Sequence, residues 1–189
     1  MAVRRIVYCG DPVLRRKAAR VRRIDDEICG LLDDMRETML DQDGLGLAAS
    51  QVGEPASVVV VRRGAESEKV IELINPRIVR REGEESGMEG CLSLPTLRGT
   101  VVRPASVVVE AVDREGNEIV VEGEGMMARC LSHELDHLAG RLFIDQVEPD
   151  TLCWLRPDES EDTGYRSEPT TMEEAQEAFK RLTARRRGS

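Results

Sequence analysis

The sequence predicts an α+β fold: short mixed or antiparallel strands packed around a central helix that carries HELDH at 133–137, plus a C-terminal helix. Three observations predict it. Valine-rich runs bounded by turn residues recur through the middle of the chain, as short strands require. Two amphipathic segments with helical spacing stand on either side of them. Between lies ARCLSHELDHLAG, helical in period yet polar enough that its histidines and acids need partners if it is buried. At 189 residues the chain suffices for one domain with a substantial core.

Taken in order, residues 25–42 place Ile28, Leu31, Leu32, Met35 and Met39 on one helical face, with Asp25 and Asp26 suited to the N-terminal end. SVVVV (57–61) and KVIELI (69–74) are predicted strands, linked by Arg62 to Glu68. Residues 106–112 and 118–121 flank the turn signal DREGN and predict a hairpin. The HELDH helix carries Leu131, Leu135 and Leu138 and meets a stop at Gly140. From Pro157 the chain turns acidic and turn-rich, the composition of a mobile linker. TTMEEAQEAFKRLTARRR follows as a helix, with a Thr171…Glu174 capping box and Met172, Ala175, Phe179 and Leu182 on one face. The division expected is a catalytic unit at 1–156 and, at 157–189, a linker with a basic amphipathic helix.

With 40% hydrophobic but only 3% aromatic residues, the core must be aliphatic. A net charge of −9 argues against a general nucleic-acid binder, whose affinity comes from neutralising phosphates. No apolar run approaches membrane-spanning length, and MAVRRIVYCGD lacks the apolar stretch of a signal peptide. Five cysteines without a CxxC pair suit a reducing compartment, so the expected location is the cytoplasm.

His133 and His137 are the only histidines in the chain. Four residues apart on a helix, they project from one face and can meet one ion, while Glu134 places a carboxylate where bound water would lose its proton. HELDHLAGRLF follows the metzincin protease pattern up to its last position, where Phe143 replaces the third histidine. The third ligand must therefore be Cys, Asp or Glu, and Glu148, Glu159 or Glu161 would keep a metallopeptidase open. Cys130 shares the helix face but sits about 10 Å along the axis from His137, too far for a short thiolate. Cys9, in an expected N-terminal strand, Cys29 and Cys153 suit ordinary core or surface. Cys91 lies in EGCLSLP, a Gly-flanked loop. GLGLAASQVG (44–53) fits a loose dinucleotide fingerprint but follows a helix rather than a strand, which excludes that use. Its glycines suit close backbone approach by an extended ligand, and Gln51 offers an amide donor.

GLGLAASQ, EGCLS and HELDH, in this order, resemble the three motifs of peptide deformylases, and the resemblance runs from DPVLRRKA to RLFID at 141–145. It implies that Cys91 joins His133 and His137 around one divalent ion, Fe²⁺, with Zn²⁺ also suited to such donors. It further implies hydrolysis of the formyl group of formyl-methionyl nascent peptides. Glu134 is then the general base, and Gln51 with the Leu92 N–H the oxyanion donors. Leu45, Gly46 and Gly90 would pair with the substrate backbone, and Met88, Met126, Arg129 and Cys130 would surround the methionine side chain. Asp136 would support the site from behind, paired with Arg103. This chain departs from the family pattern in having Ser132, where many members have Gln, and in a shorter GMEGC segment. A basic C-terminus (Lys180, Arg181, Arg185, Arg186 and Arg187) suggests contact with the ribosome. The competing readings are an HExxH metallopeptidase and a non-catalytic ribosome-docking relative, against which Glu134 and Gln51 speak, since metal binding needs neither.

Overall fold

The computed structural model describes residues 2–64 and 69–187, and no side chain from 184 onward. Helix α1 spans Asp26–Asp41, with Asp25 as N-cap accepting from the Ile28 N–H at 3.2 Å. Its buried face is Leu31, Leu32, Met35, Thr38 and Met39. Strands β1 (Gly46–Ala48), β2 (Val58–Arg62), β3 (Val70–Glu82), β6 (Ser106–Val112) and β7 (Glu118–Glu124) form one sheet in the order β1-β2-β3-β6-β7. The second sheet runs β4-β5-β8-β9, from β4 (Glu85–Cys91), β5 (Leu94–Arg103), β8 (Cys153–Pro157) and β9 (Tyr165–Pro169). Every strand pairing is antiparallel. The central helix α2 spans Met126–Leu138, and α3 spans Met172–Arg187.

The expected hairpin forms, and its turn is closed by Asp113, whose Oδ1 accepts from the Glu115 and Asn117 N–H groups. Gly140, at φ 74°, ends α2 as expected. α3 begins in a capping box: the Glu174 N–H donates to Thr171 Oγ1 and the Thr171 N–H donates to Glu174 Oε2. Ala175 and Phe179 of α3 are buried in the cluster that contains Leu94, Leu97, Phe143 and Cys91, with Phe179 against Trp154. The helix thus seals the second sheet from outside.

Four expectations need correction. β3 continues through Pro76 to Glu82, because register shifts between Ile74/Arg77 and Ile78/Arg80 absorb the proline. Cys91 ends a strand rather than lying in a loop, since β4 pairs with β5 from Glu85↔Arg103 to Cys91↔Leu94. The acidic segment expected as linker contains β9, which pairs residue for residue with β8. Cys9 lies outside any strand: its N–H donates to Ser93 O at 2.9 Å, and the Val7 N–H donates to Gln51 O at 2.8 Å. The N-terminal segment thereby ties the Gln51 turn to the turn after Cys91.

Each sheet has two edge strands, β1 and β7 in the first and β4 and β9 in the second, and β1 faces β4 across a cleft. Helix α2 packs across one face of the first sheet, with Ala128, Cys130, Leu131 and Leu138 joined to Ala48, Val59, Val107 and Val121. The cleft between these edges is where the site lies.

Candidate active site and metal centre

The ligand atoms of Cys91, His133 and His137 all lie within 4.8 Å of one another, and all three residues are buried. Cys91 Sγ stands 3.2 Å from His137 Nε2, and the imidazole centroids are 5.0 Å apart. Two imidazoles and a sulfur this close could hold a divalent ion as an N₂S donor set with an open position. The fit is supported from behind: Glu89 Oε2 lies 3.0 Å from His133 Nδ1, which leaves Nε2 free to face an ion. Phe143, at the position where the protease pattern has its third histidine, stacks on His133 at 6.3 Å. Glu148, Glu159 and Glu161 are exposed and outside this cluster. Cys130 is outside it too, as helix geometry requires.

A chain of charges holds this arrangement. Arg103 donates to both oxygens of Glu89, at 2.8 and 3.0 Å, and through Nη1 to Asp136. Asp136 also accepts from Gln146 at 2.7 Å and pairs with Arg141 at 2.6 Å. Asp136 therefore bears on the imidazoles indirectly, through Arg103 and then Glu89. Burial alone would push Glu89 up, but Arg103 and His133 outweigh it and hold the carboxyl at about 2. Glu89 is the functional residue that sequence reasoning missed. It is the first residue of EGCLS, but its partners lie far away in sequence, so no local spacing announces its role.

Glu134 is 4% exposed, and its Oε2 has no hydrogen-bond partner among the described residues. Burial raises its carboxyl to about 7, with Glu89 adding to the rise and His133 and Arg103 opposing it. Such a group exchanges protons near neutrality. Gly46 permits this placement, since a Cβ there would stand 2.6 Å from Glu134 Oε1 and 2.8 Å from Cys130 Sγ. Gln51 is oriented by its own turn: its Oε1 accepts from the Ala48 N–H at 2.8 Å, so Nε2 faces the site, 3.5 Å from Cys91 Sγ.

Gln51, Glu89, Cys91, His133 and Glu134 border one cavity of about 490 Å³. Leu45, Gly46, Met88, Gly90, Leu92, Met126, Arg129 and Cys130 also line it, so the structure brings the sequence-derived cleft residues together. Met88 and Met126 stand exposed at its mouth, whereas Arg129 and Cys130 are buried. The Arg129 guanidinium is turned away, donating to Glu89 and to the Glu85, Gly87 and Val101 carbonyls, so its stem can serve as apolar wall. Tyr8 and Arg98 join the lining without any signal in the sequence. A Cβ at Gly90 would meet the Arg98 guanidinium at 2.3 Å, so only glycine lets that side chain cross the strand.

The sequence model of one family, described as "Polypeptide deformylase", matches residues 3–152. A peptide deformylase of Desulfitobacterium hafniense is 50% identical over 148 residues, covering 78% of this chain and 97% of that protein. One of Acetivibrio thermocellus is 53% identical over 147 residues, covering 78% and 85%. The crystal structure of a peptide deformylase from Legionella pneumophila superposes with TM-score 0.78 at 37% identity, covering 97% and 99% of the two chains. The Synechococcus elongatus peptide deformylase in complex with actinonin gives 0.74 at 44%, covering 76% and 80%.

Proposed function

Given that this chain belongs to the polypeptide deformylase family, we propose that Cys91, His133 and His137 hold its catalytic ion and that Glu134 moves the proton. The activity is hydrolytic removal of the N-formyl group from formyl-methionyl peptides. One juxtaposition carries the residue assignments: Cys91 and His133 of the three-donor cluster border the same cavity as Glu134, whose buried Oε2 has no hydrogen-bond partner among the described residues.

When bound, a divalent ion supplies the Lewis acidity that lets water lose a proton near neutral pH. Glu134 Oε2 accepts that proton and later delivers it to the leaving amine, a task matched by a carboxyl near 7. Gln51 Nε2 and the Leu92 N–H donate to the formyl oxygen as it gains charge. The peptide lies between edge strands β1 and β4, pairing with Leu45, Gly46 and Gly90 as an added strand. Its methionine side chain enters past Met88 and Met126 to the Cys130 and Arg129 stem. Arg103 and Asp136 position Glu89, and through it His133.

Gln51→Ala is expected to lower kcat by ~10²–10³-fold with little change in KM, the cost of one oxyanion donor. Steady-state kinetics on a formyl-Met peptide checks this, and an unchanged kcat would remove Gln51 from the mechanism.

We assign the ion as ferrous iron on the family resemblance, the same donors accepting zinc. Formate release by anaerobically purified protein, with metal analysis of the same sample, tests this: equal turnover by iron and zinc forms would overturn the preference. The proposed location is the cytoplasm. No described helix is long and apolar enough to cross a membrane.

We assign catalysis to 1–156 and a ribosome contact to the tail at 157–189. Exposed Lys180 and Arg181 support the contact, while the side chains of Arg185, Arg186 and Arg187 lie outside the described residues. Deleting the helix would uncover the core around Ala175 and Phe179, so charge substitution is the sound test. Replacing Lys180, Arg181 and Arg185–Arg187 by serine is expected to weaken salt-sensitive co-sedimentation with ribosomes and to spare activity on short peptides. Unchanged co-sedimentation would discard the contact.

A further inference from the structure

A second cavity, of about 520 Å³, opens behind α2, on the face turned away from the metal donors. Its charge is distinctive on a chain of net charge −9: among the described residues, Lys17, Arg81, Arg103 and Arg141 border it against a single acid, Asp136. Arg103 and Arg141 are engaged with Asp136. Lys17 and Arg81 have no carboxylate partner among the described residues, and both are exposed. The register shift at Ile78/Arg80 occurs just before Arg81, and such bulges re-aim side chains.

The cavity is lined by Ser132, which is 6% exposed and whose Oγ lacks a hydrogen-bond partner among the described residues. An unpaired buried hydroxyl costs about 1–3 kcal/mol, which a ligand oxygen would offset. The simpler account, that these cations close the C-terminal end of α2, is already excluded. The Leu138, His137 and Asp136 carbonyls accept from the backbone N–H groups of Ala18, Gly140 and Arg141. The cavity walls also carry apolar side chains, including Ile78, Val102 and Leu135. Unpaired cations at the rim, a free hydroxyl and apolar walls together match an anionic head on an organic body.

We propose that this cavity binds a small organic phosphate, its phosphoryl group held by Lys17, Arg81 and the Ser132 hydroxyl. The phosphoryl dianion matches the two unpaired cations, and guanidinium forks suit phosphate oxygens. A cavity of this size takes a ligand of nucleoside-monophosphate dimensions, larger than free phosphate. Ser132 stands where many family members have Gln, and the smaller side chain leaves both the room and the hydroxyl.

Equilibrium dialysis of the metal-loaded full chain against inorganic phosphate and against adenosine monophosphate tests this. Saturable binding is expected with a Kd of about 1 mM or tighter, the ester binding more tightly than phosphate. Lys17→Ser and Arg81→Ser should each weaken it about tenfold, as loss of one charge-assisted contact does, while Arg22→Ser, outside the cavity, leaves it unchanged. Formate release from a short peptide without added phosphate is expected to be the same in all three variants, which shows that they are folded. Absence of saturable binding, or equal affinity in Lys17→Ser, Arg81→Ser and Arg22→Ser, would overturn the site. Because the readout is binding, its failure leaves the deformylase assignment untouched.

Discussion

Glu134→Ala is expected to bind one metal ion per chain and to lose nearly all deformylation, by ~10²–10⁴-fold or more, the range for a general acid–base group. The size of the effect follows from two uses of one carboxylate, which accepts a proton from water and then delivers it to the amine. Retention of metal follows from geometry, since the donor cluster is Cys91, His133 and His137 and omits Glu134. Glu134→Gln is the companion variant, because it keeps the volume next to Gly46 and Cys130 while removing the titratable oxygen. Both variants should show the same loss in kcat. Metal analysis beside the kinetics separates the outcomes. Metal lost together with activity in both would make Glu134 a coordinating or structural residue and would end its role as base.

How much of this was legible in the sequence depended on where each element's information lies. α2 could be read because His133 and His137 repeat at helical spacing and Gly140 marks the stop. α3 could be read because its cap is local, Thr171 and Glu174 being three residues apart. β4 could not, because ESGMEGC has no alternation of apolar residues and is held by backbone pairing to β5. β9 was hidden for the same reason, all of Tyr165–Pro169 being exposed. The strand expected at 69–74 is too short, because β3 runs on past Pro76 by way of two register shifts that the local sequence does not announce.

At the site, the motifs give the candidate donors and the resemblance gives Arg103 paired with Asp136, but neither gives the contact from Glu89 to His133 that joins this pair to the donors. Glu89, Arg103 and Asp136 come from β4, β5 and α2, and only folding makes them neighbours. Removing one partner of such a buried ion pair costs about 3–5 kcal/mol, because the other is left charged and unpaired. The support of His133 is therefore a tertiary property. The ligand spacing within α2 is a local one.

Cys91→Ser and Cys130→Ser divide the two thiols that border the cavity, and they are expected to differ sharply. Cys91 Sγ lies 3.2 Å from His137 Nε2 and within 4.8 Å of both histidine donors, at the fixed end of β4. Serine there replaces a soft anionic ligand by a hydroxyl that ionises poorly. Metal affinity should fall by more than the ~10–100-fold that follows loss of a ligand's hydrogen-bonded support alone, and deformylation should fall with it. Cys130 is 9% exposed, and burial pushes its thiol well above the ordinary range, with Glu134 and Glu89 adding to the rise. It therefore stays neutral, serving as apolar wall beneath Gly46. Cys130→Ser should keep metal content, with a change in stability of about 1 kcal/mol and at most a weaker fit for methionine, seen in KM. Both variants would be loaded with metal under identical anaerobic conditions and assayed on one formyl-Met peptide. Metal kept in Cys91→Ser but lost in Cys130→Ser would reverse the ligand assignment, because Cys130 could reach the ion only if α2 departed from helical geometry across this turn.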